Sequence, residues 1–224
     1  MGKVEAEESH IKKHIQYWID YDGKGERYRR ENDLDCILTG GNLFADALIS
    51  LWSPLKYVLE YENNRCWQEF DPKDRSKNNN KFLEKIKDNV ENFIPDEDLR
   101  GKLERLFELG RTRANVIILP YRKWNTLRGG NPYYDYMPYF LYDILNVNAD
   151  EEFAEFGEAV QNWIRREHLE MFFDGNVIKR ENIKDLCGIG TVTPRWMNKK
   201  ESFDIRLLLE NYIEILEERS EFYP

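Results

Sequence analysis

The residues best suited to chemistry lie between Gly110 and Asp135, in the stretch GRTRANVIILPYRKWNTLRGGNPYYD. Arg111, Arg113, Arg122, Lys123 and Arg128 occur there, with no acidic residue between Glu108 and Asp135. A guanidinium presents a planar fork of donors that fits phosphate or carboxylate oxygens in pairs. A run of cations without an intervening acid raises the local potential, even in a chain whose formal net charge is −9. Asn125 adds an amide, and Gly129 lets the backbone come close to a ligand. Trp124, Tyr133 and Tyr134 offer rings on which a base can stack. The chemistry that fits is capture of an anion, with a nucleotide or an RNA end as the expected ligand. Asp135 is the nearby carboxylate placed to act as a general base. The competing expectation is that these arginines pair with carboxylates elsewhere and bind nothing.

A second candidate is Thr39-Gly40-Gly41-Asn42, read as the turn before a buried helix over 43–51. Glycines at a helix N-terminus can aim N–H groups at an anion. The sequence is neither GxGxxG nor a Walker loop, which requires Lys-Ser/Thr after its glycines. On a helix, Asn42, Asp46 and Ser50 fall on one face. They either line a cavity shared with the Arg segment or satisfy backbone groups.

Other constellations carry less. His10 and His14 share a helical face, but the sequence between them is Ile-Lys-Lys, without the glutamate of HExxH and without a third ligand. No metal site and no cofactor is expected. His168 follows Arg165-Arg166-Glu167, which lacks the R-x4–6-H spacing of helical RNases of the HEPN type; a solvated helix face is expected there. There is no GxSxG. Cys187 is expected to be a buried thiol rather than a nucleophile.

The elements that must position these residues are mostly helical. Apolar residues at helical spacing predict helices over 4–21, 55–61, 81–94, 99–109, 132–146, 150–173, 178–186 and 202–218. Ser53-Pro54 suits a helix start. Pro95 and Asp96 separate two helices, and Gly110 ends the second. The segment 150–173 is expected to be the longest helix, halted by Asp174-Gly175-Asn176. Residues 62–80 read as a loop ending in three asparagines. The β-branched run 114–119 predicts a small strand in an otherwise mainly α, single-domain chain covering 1–224. The loop 62–80 is the one candidate internal boundary.

Composition narrows the function classes. The sequence has 224 residues, 41% of them hydrophobic and 14% aromatic, enough to bury a core without metal or disulfide support. The acidic balance argues against general DNA binding. Cys36, Cys66 and Cys187 are odd in number and show no CxxC spacing, which predicts reduced thiols and a cytoplasmic location. No apolar run reaches membrane-spanning length. A second class of function remains open. Glu210, Glu214, Glu217 and Glu218 on the last helix would let an acidic interaction protein, inhibitor- or antitoxin-like, dock on a basic protein partner.

The order Gly41-Asn42-Leu43, Trp52-Ser53-Pro54-Leu55, Ile118-Leu119-Pro120 and Asn125-Thr126-Leu127-Arg128-Gly129 resembles that of uncharacterised bacterial proteins with a domain of unknown function. The resemblance covers short windows and implies no activity. It singles out Asn125, Arg128 and Gly129.

Overall fold

The computed structural model describes residues 9–20, 44–49, 52–62, 77–119, 137–145, 157–188 and 204–223. The described chain is mainly helical. Its helices are α1 (His10–Asp20), α2 (Trp52–Glu62), α3 (Lys77–Asp88), α4 (Val90–Phe93), α5 (Glu97–Leu109), α6 (Met137–Ile144), α7 (Gly157–Arg166) and α8 (Ile205–Ser220). Two short strands, β1 (Phe44–Ala47) and β2 (Val116–Leu119), pair antiparallel, with Phe44 opposite Leu119 and Ala47 opposite Val116. Among the described residues no helix is long and apolar enough to cross a membrane.

Helices α5 and α8 form the central pair. Asp96 caps α5 by accepting from the Leu99 amide at 3.0 Å, and Glu97 and Asp98 follow in the first turn, where carboxylates suit the helix dipole. Leu99, Leu103, Leu106 and Phe107 recur on one face and are fully buried. Gly110 closes the helix by donating to the Leu106 carbonyl at 2.8 Å; its φ of −65° needs no left-handed backbone. In α8, Asp204 accepts from the amides of Arg206 and Leu207. It caps the helix in place of the expected Ser202, which lies outside the described residues. Leu208, Leu209, Tyr212 and Leu216 face α5 and the core. Ion pairs stitch the outer seam of the two helices: Arg105 bridges Glu108 and Glu217, Lys102 bridges Asp98 and Glu210, and Arg206 bridges Asp96 and Asp98. Helix α1 packs on α3 and α5, and α2 packs on α5 and α8.

Three expectations are corrected. Residues 44–47 form a strand, so Asp46 is not on a helical face with Asn42 and Ser50. A short apolar run is compatible with either state. Pairing with β2 decides it for the strand. The segment expected as a helix through 173 stops at Arg166. Residues 178–186 form no α-helix; a single 3-10 turn, Arg180–Asn182, leads to a bridge between Phe173 and Ile183. In addition, Asn78, Asn79 and Asn80 belong to α3 rather than to a loop.

The sheet has no open outer edge at Ile118. The Glu167 carboxylate accepts from the Ile118 amide at 2.9 Å, and the Trp163 indole donates to the Ile118 carbonyl at 2.7 Å. Both come from α7 or the turn just after it, so helix side chains replace a third strand. Asn115, 3% exposed, does the same for β1's exit: its amide exchanges hydrogen bonds with the backbone of Ile49 and donates to the Gly110 carbonyl.

Candidate functional site

The helix α5 ends at the start of the Arg-rich stretch, and its first two arginines diverge. Arg111 reaches back to α1, with its guanidinium 3.4 Å from Nδ1 of His14. His14 is buried, and its ring packs 4.3 Å from that of Phe107. Burial and then the neighbouring Arg111 charge hold the imidazole well below its ordinary pKa, so it is neutral near pH 7. Arg113 sits in the 3-10 turn Arg113–Asn115, donates to the Val116 carbonyl, and lies over the ring of Tyr223 at 4.3 Å. Its described partners are a carbonyl and an aromatic face, not a carboxylate.

A third arginine, which its neighbours in the chain do not mark out, completes this corner. Arg219 on α8 is 0% exposed. Its Nε donates to the Ala114 carbonyl at 2.6 Å and one terminal nitrogen to the Val116 carbonyl at 2.8 Å. The other donates to the carbonyls of Glu167 and His168. One side chain therefore joins the start of β2 to the C-terminal end of α7. Burial, reinforced by the Arg113 charge, lowers its pKa to about 10, so it stays cationic at neutral pH.

The clamp on the Glu167 and His168 carbonyls coincides with the point where α7 stops. His168 has φ of 50°, in the left-handed region that a non-glycine residue rarely adopts. There its ring stacks on Phe222 at 3.9 Å and 8° and meets the edge of Tyr223 at 5.6 Å. An aromatic and cationic row results: Arg113, Tyr223, His168, Phe222. The expected solvated helix face holds for Arg165 and Arg166 but ends there, because Glu167 is 2% exposed and His168 is built into this row.

The row ends at an open cleft of about 850 Å³. Arg165, His168, Lys179, Glu170, Glu218 and Phe222 contribute to its lining. Phe222 is 52% exposed and the adjoining Val177 44%; with Tyr61 they are the large apolar side chains that stay exposed among the described residues. Two of these three flanking one cleft is the pattern expected of a binding surface.

Of the residues expected from sequence to form the anion site, only Arg111 and Arg113 have described side chains. Asp46 is placed by its backbone alone. Asn42, Arg122, Trp124, Asn125, Arg128, Gly129, Tyr133, Tyr134 and Asp135 lie outside the described residues. No group of three or more metal-ligating side chains occurs among the described residues. Cys187 is buried, its amide bonded to Asp185 and its carbonyl to the Asp204 amide.

Fold and site together define a mainly helical protein with a small two-stranded ribbon, carrying a cationic and aromatic row beside a cleft. Comparison of the chain with protein-family models, curated proteins and solved structures gives no match.

Proposed function

We propose that this protein binds a phosphate-bearing ligand, a nucleotide or an RNA end, through the Arg-rich segment from Arg111 to Tyr134. The observation that supports this reading is the state of Arg113. Carboxylates are abundant in this chain, and Lys102, Arg105 and Arg206 all pair with them. Arg113 instead faces the Tyr223 ring beside the buried cation Arg219, so two guanidiniums stand at the root of the segment, with Glu167 as the carboxylate that acts on Arg219. The corner borders β2, a strand of four residues that leads directly into Arg122, Asn125 and Arg128. In this reading Arg122, Asn125 and Arg128 hold phosphate oxygens, Gly129 admits the ligand, and Trp124, Tyr133 and Tyr134 stack on a base. Asp135 supplies a base for proton transfer. Asp46, in β1, pairs with Ile117, and Asn42 precedes that strand in the sequence. A cytoplasmic location agrees with the reduced thiols expected from the cysteine spacing.

The test is calorimetry of the purified protein against a nucleotide panel, repeated with Arg128→Ala. Binding that is lost in Arg128→Ala supports the reading. A wild-type protein that binds no member of the panel sinks it. The acidic-partner reading is weaker: Glu210 and Glu217 on α8 are engaged with Lys102 and Arg105, which leaves Glu214 and Glu218 as the two of those four outside an ion pair among the described residues.

A further inference from the structure

We infer that the cleft beside His168 is a base-binding subsite, and that it takes a nucleotide whose base carries an amino group. This rests on the nucleotide reading above for its ligand class, but it stands on different residues.

Three features of the cleft answer three parts of such a ligand. Phe222 has one face covered by the His168 ring at 3.9 Å, while the side chain remains 52% exposed. A base arriving on the open face would complete a stack of three rings, and stacking tolerates any base. Arg165 and Lys179 are two cations on the cleft wall with no carboxylate partner among the described residues. They suit a phosphate. Glu170 and Glu218 lie in the same lining and would oppose a simple anion. Carboxylates accept from N–H donors, so they suit the amino edge of a base and account for mixed charge in one cleft. An inorganic anion would use only the two cations, and an apolar ligand would use only Phe222 and Val177. A nucleotide uses all three features. The volume, about 850 Å³, falls in the range of small-ligand sites.

The stacking face is also built in advance. Arg219 fixes the two carbonyls that bracket His168, and Tyr223, under Arg113 and Arg219, meets the imidazole edge. Little ordering is then left for the ligand to impose.

The experiment is calorimetric titration of the full chain with GMP, IMP, guanosine and inorganic phosphate. GMP and IMP differ only in the 2-amino group. GMP should bind most tightly, with guanosine and phosphate each weaker by about tenfold or more. Phe222→Ala and the double variant Arg165→Ala with Lys179→Ala should each weaken GMP by about tenfold. Glu170→Gln with Glu218→Gln should erase the preference for GMP over IMP. These side chains are surface-exposed or lie at the cleft rim, so the variants should keep the wild-type thermal midpoint within a few degrees. Arg128→Ala is the separating arm. GMP binding lost in Phe222→Ala supports the cleft whatever Arg128→Ala does. Binding lost in Arg128→Ala but kept in Phe222→Ala overturns the cleft and leaves the Arg-segment reading standing. Binding kept in Arg128→Ala but lost in Phe222→Ala does the reverse. A wild-type protein that binds none of the probes overturns both.

Discussion

Replacing Arg219 by methionine tests how the corner is held together. The side chain donates to four carbonyls, those of Ala114, Val116, Glu167 and His168. The Val116 carbonyl also accepts from Arg113, so three lose their side-chain donor. Hydrogen bonds from a charged group contribute about 1.5–3 kcal/mol each, so the three together come to roughly 5–9 kcal/mol. Against this stands the cost of keeping a guanidinium buried. A pKa lowered from 12.5 to about 10 corresponds to about 3 kcal/mol, which methionine recovers. The expected net loss is about 2–5 kcal/mol after some relaxation, which for a chain of this size lowers the thermal midpoint by roughly 5–15 °C. Arg219→Lys keeps the charge and three donors and should fall between the two. Urea denaturation of the three proteins measures it. A methionine variant within about 1 kcal/mol of wild type would mean that the carbonyls find other donors and that the clamp is not what holds the β2–α7 junction.

Four further outcomes are expected. Asn115→Leu leaves the Ile49 amide and carbonyl and the Gly110 carbonyl without their side-chain partner, and should cost about 2–4 kcal/mol in denaturant melts. Trp163→Phe keeps most of the ring's packing but removes the indole donor to Ile118, and should cost about 1 kcal/mol by the same measurement. His14 contributes a pH dependence. Its folded pKa lies below the unfolded value near 6.5, so the unfolded chain binds the proton first as pH falls. Stability from this group is full above pH 6.5 and is lost below it, at up to about 1.4 kcal/mol per pH unit until the folded pKa is reached. His14→Leu should show a shallower loss than wild type between pH 7 and 5; equal slopes would mean that the imidazole is not held neutral. Asp96 is depressed to about 2 by the Arg206 contact and the Leu99 amide. Its contribution is present above the unfolded value of 3.8 and disappears as pH falls through about 2, so Asp96→Asn should flatten acid melts in that window while the cap is retained.

Much of the fold could be read from local chemistry. Asp96 and Gly110 bound α5 as their residue types suggest, and the apolar positions of α3, α5 and α8 face inward as their spacing requires. The β-branched run produced β2 at 116–119, close to the expected span of 114–119. Failures occurred where distant residues decide. Residue types do not announce the stop of α7 at Arg166, because Glu167 and Leu169 are good helix formers and the left-handed residue at the helix end is His168 rather than glycine. The amides of His168 and Leu169 close the helix on the Arg165 and Ile164 carbonyls, and Arg219, some fifty residues later, takes the carbonyls of Glu167 and His168. Arg219 itself sits among glutamates, where an ordinary solvated arginine would be expected. Residues 44–47 became a strand because a partner was available, which their own pattern does not specify. The cleft was missed for a related reason: Arg165, Lys179 and Phe222 come from three separate elements, and only the left-handed turn at His168 gathers them.

The measurement closest to the central claim is calorimetric titration of the wild-type chain and of Arg128→Ala with the same nucleotide panel. Saturable heat from a phosphate-bearing member in wild type, weakened at least tenfold in Arg128→Ala, is the predicted result. Absence of heat across the panel, or equal binding by the two proteins, would contradict the claim that the Arg-rich segment is the site.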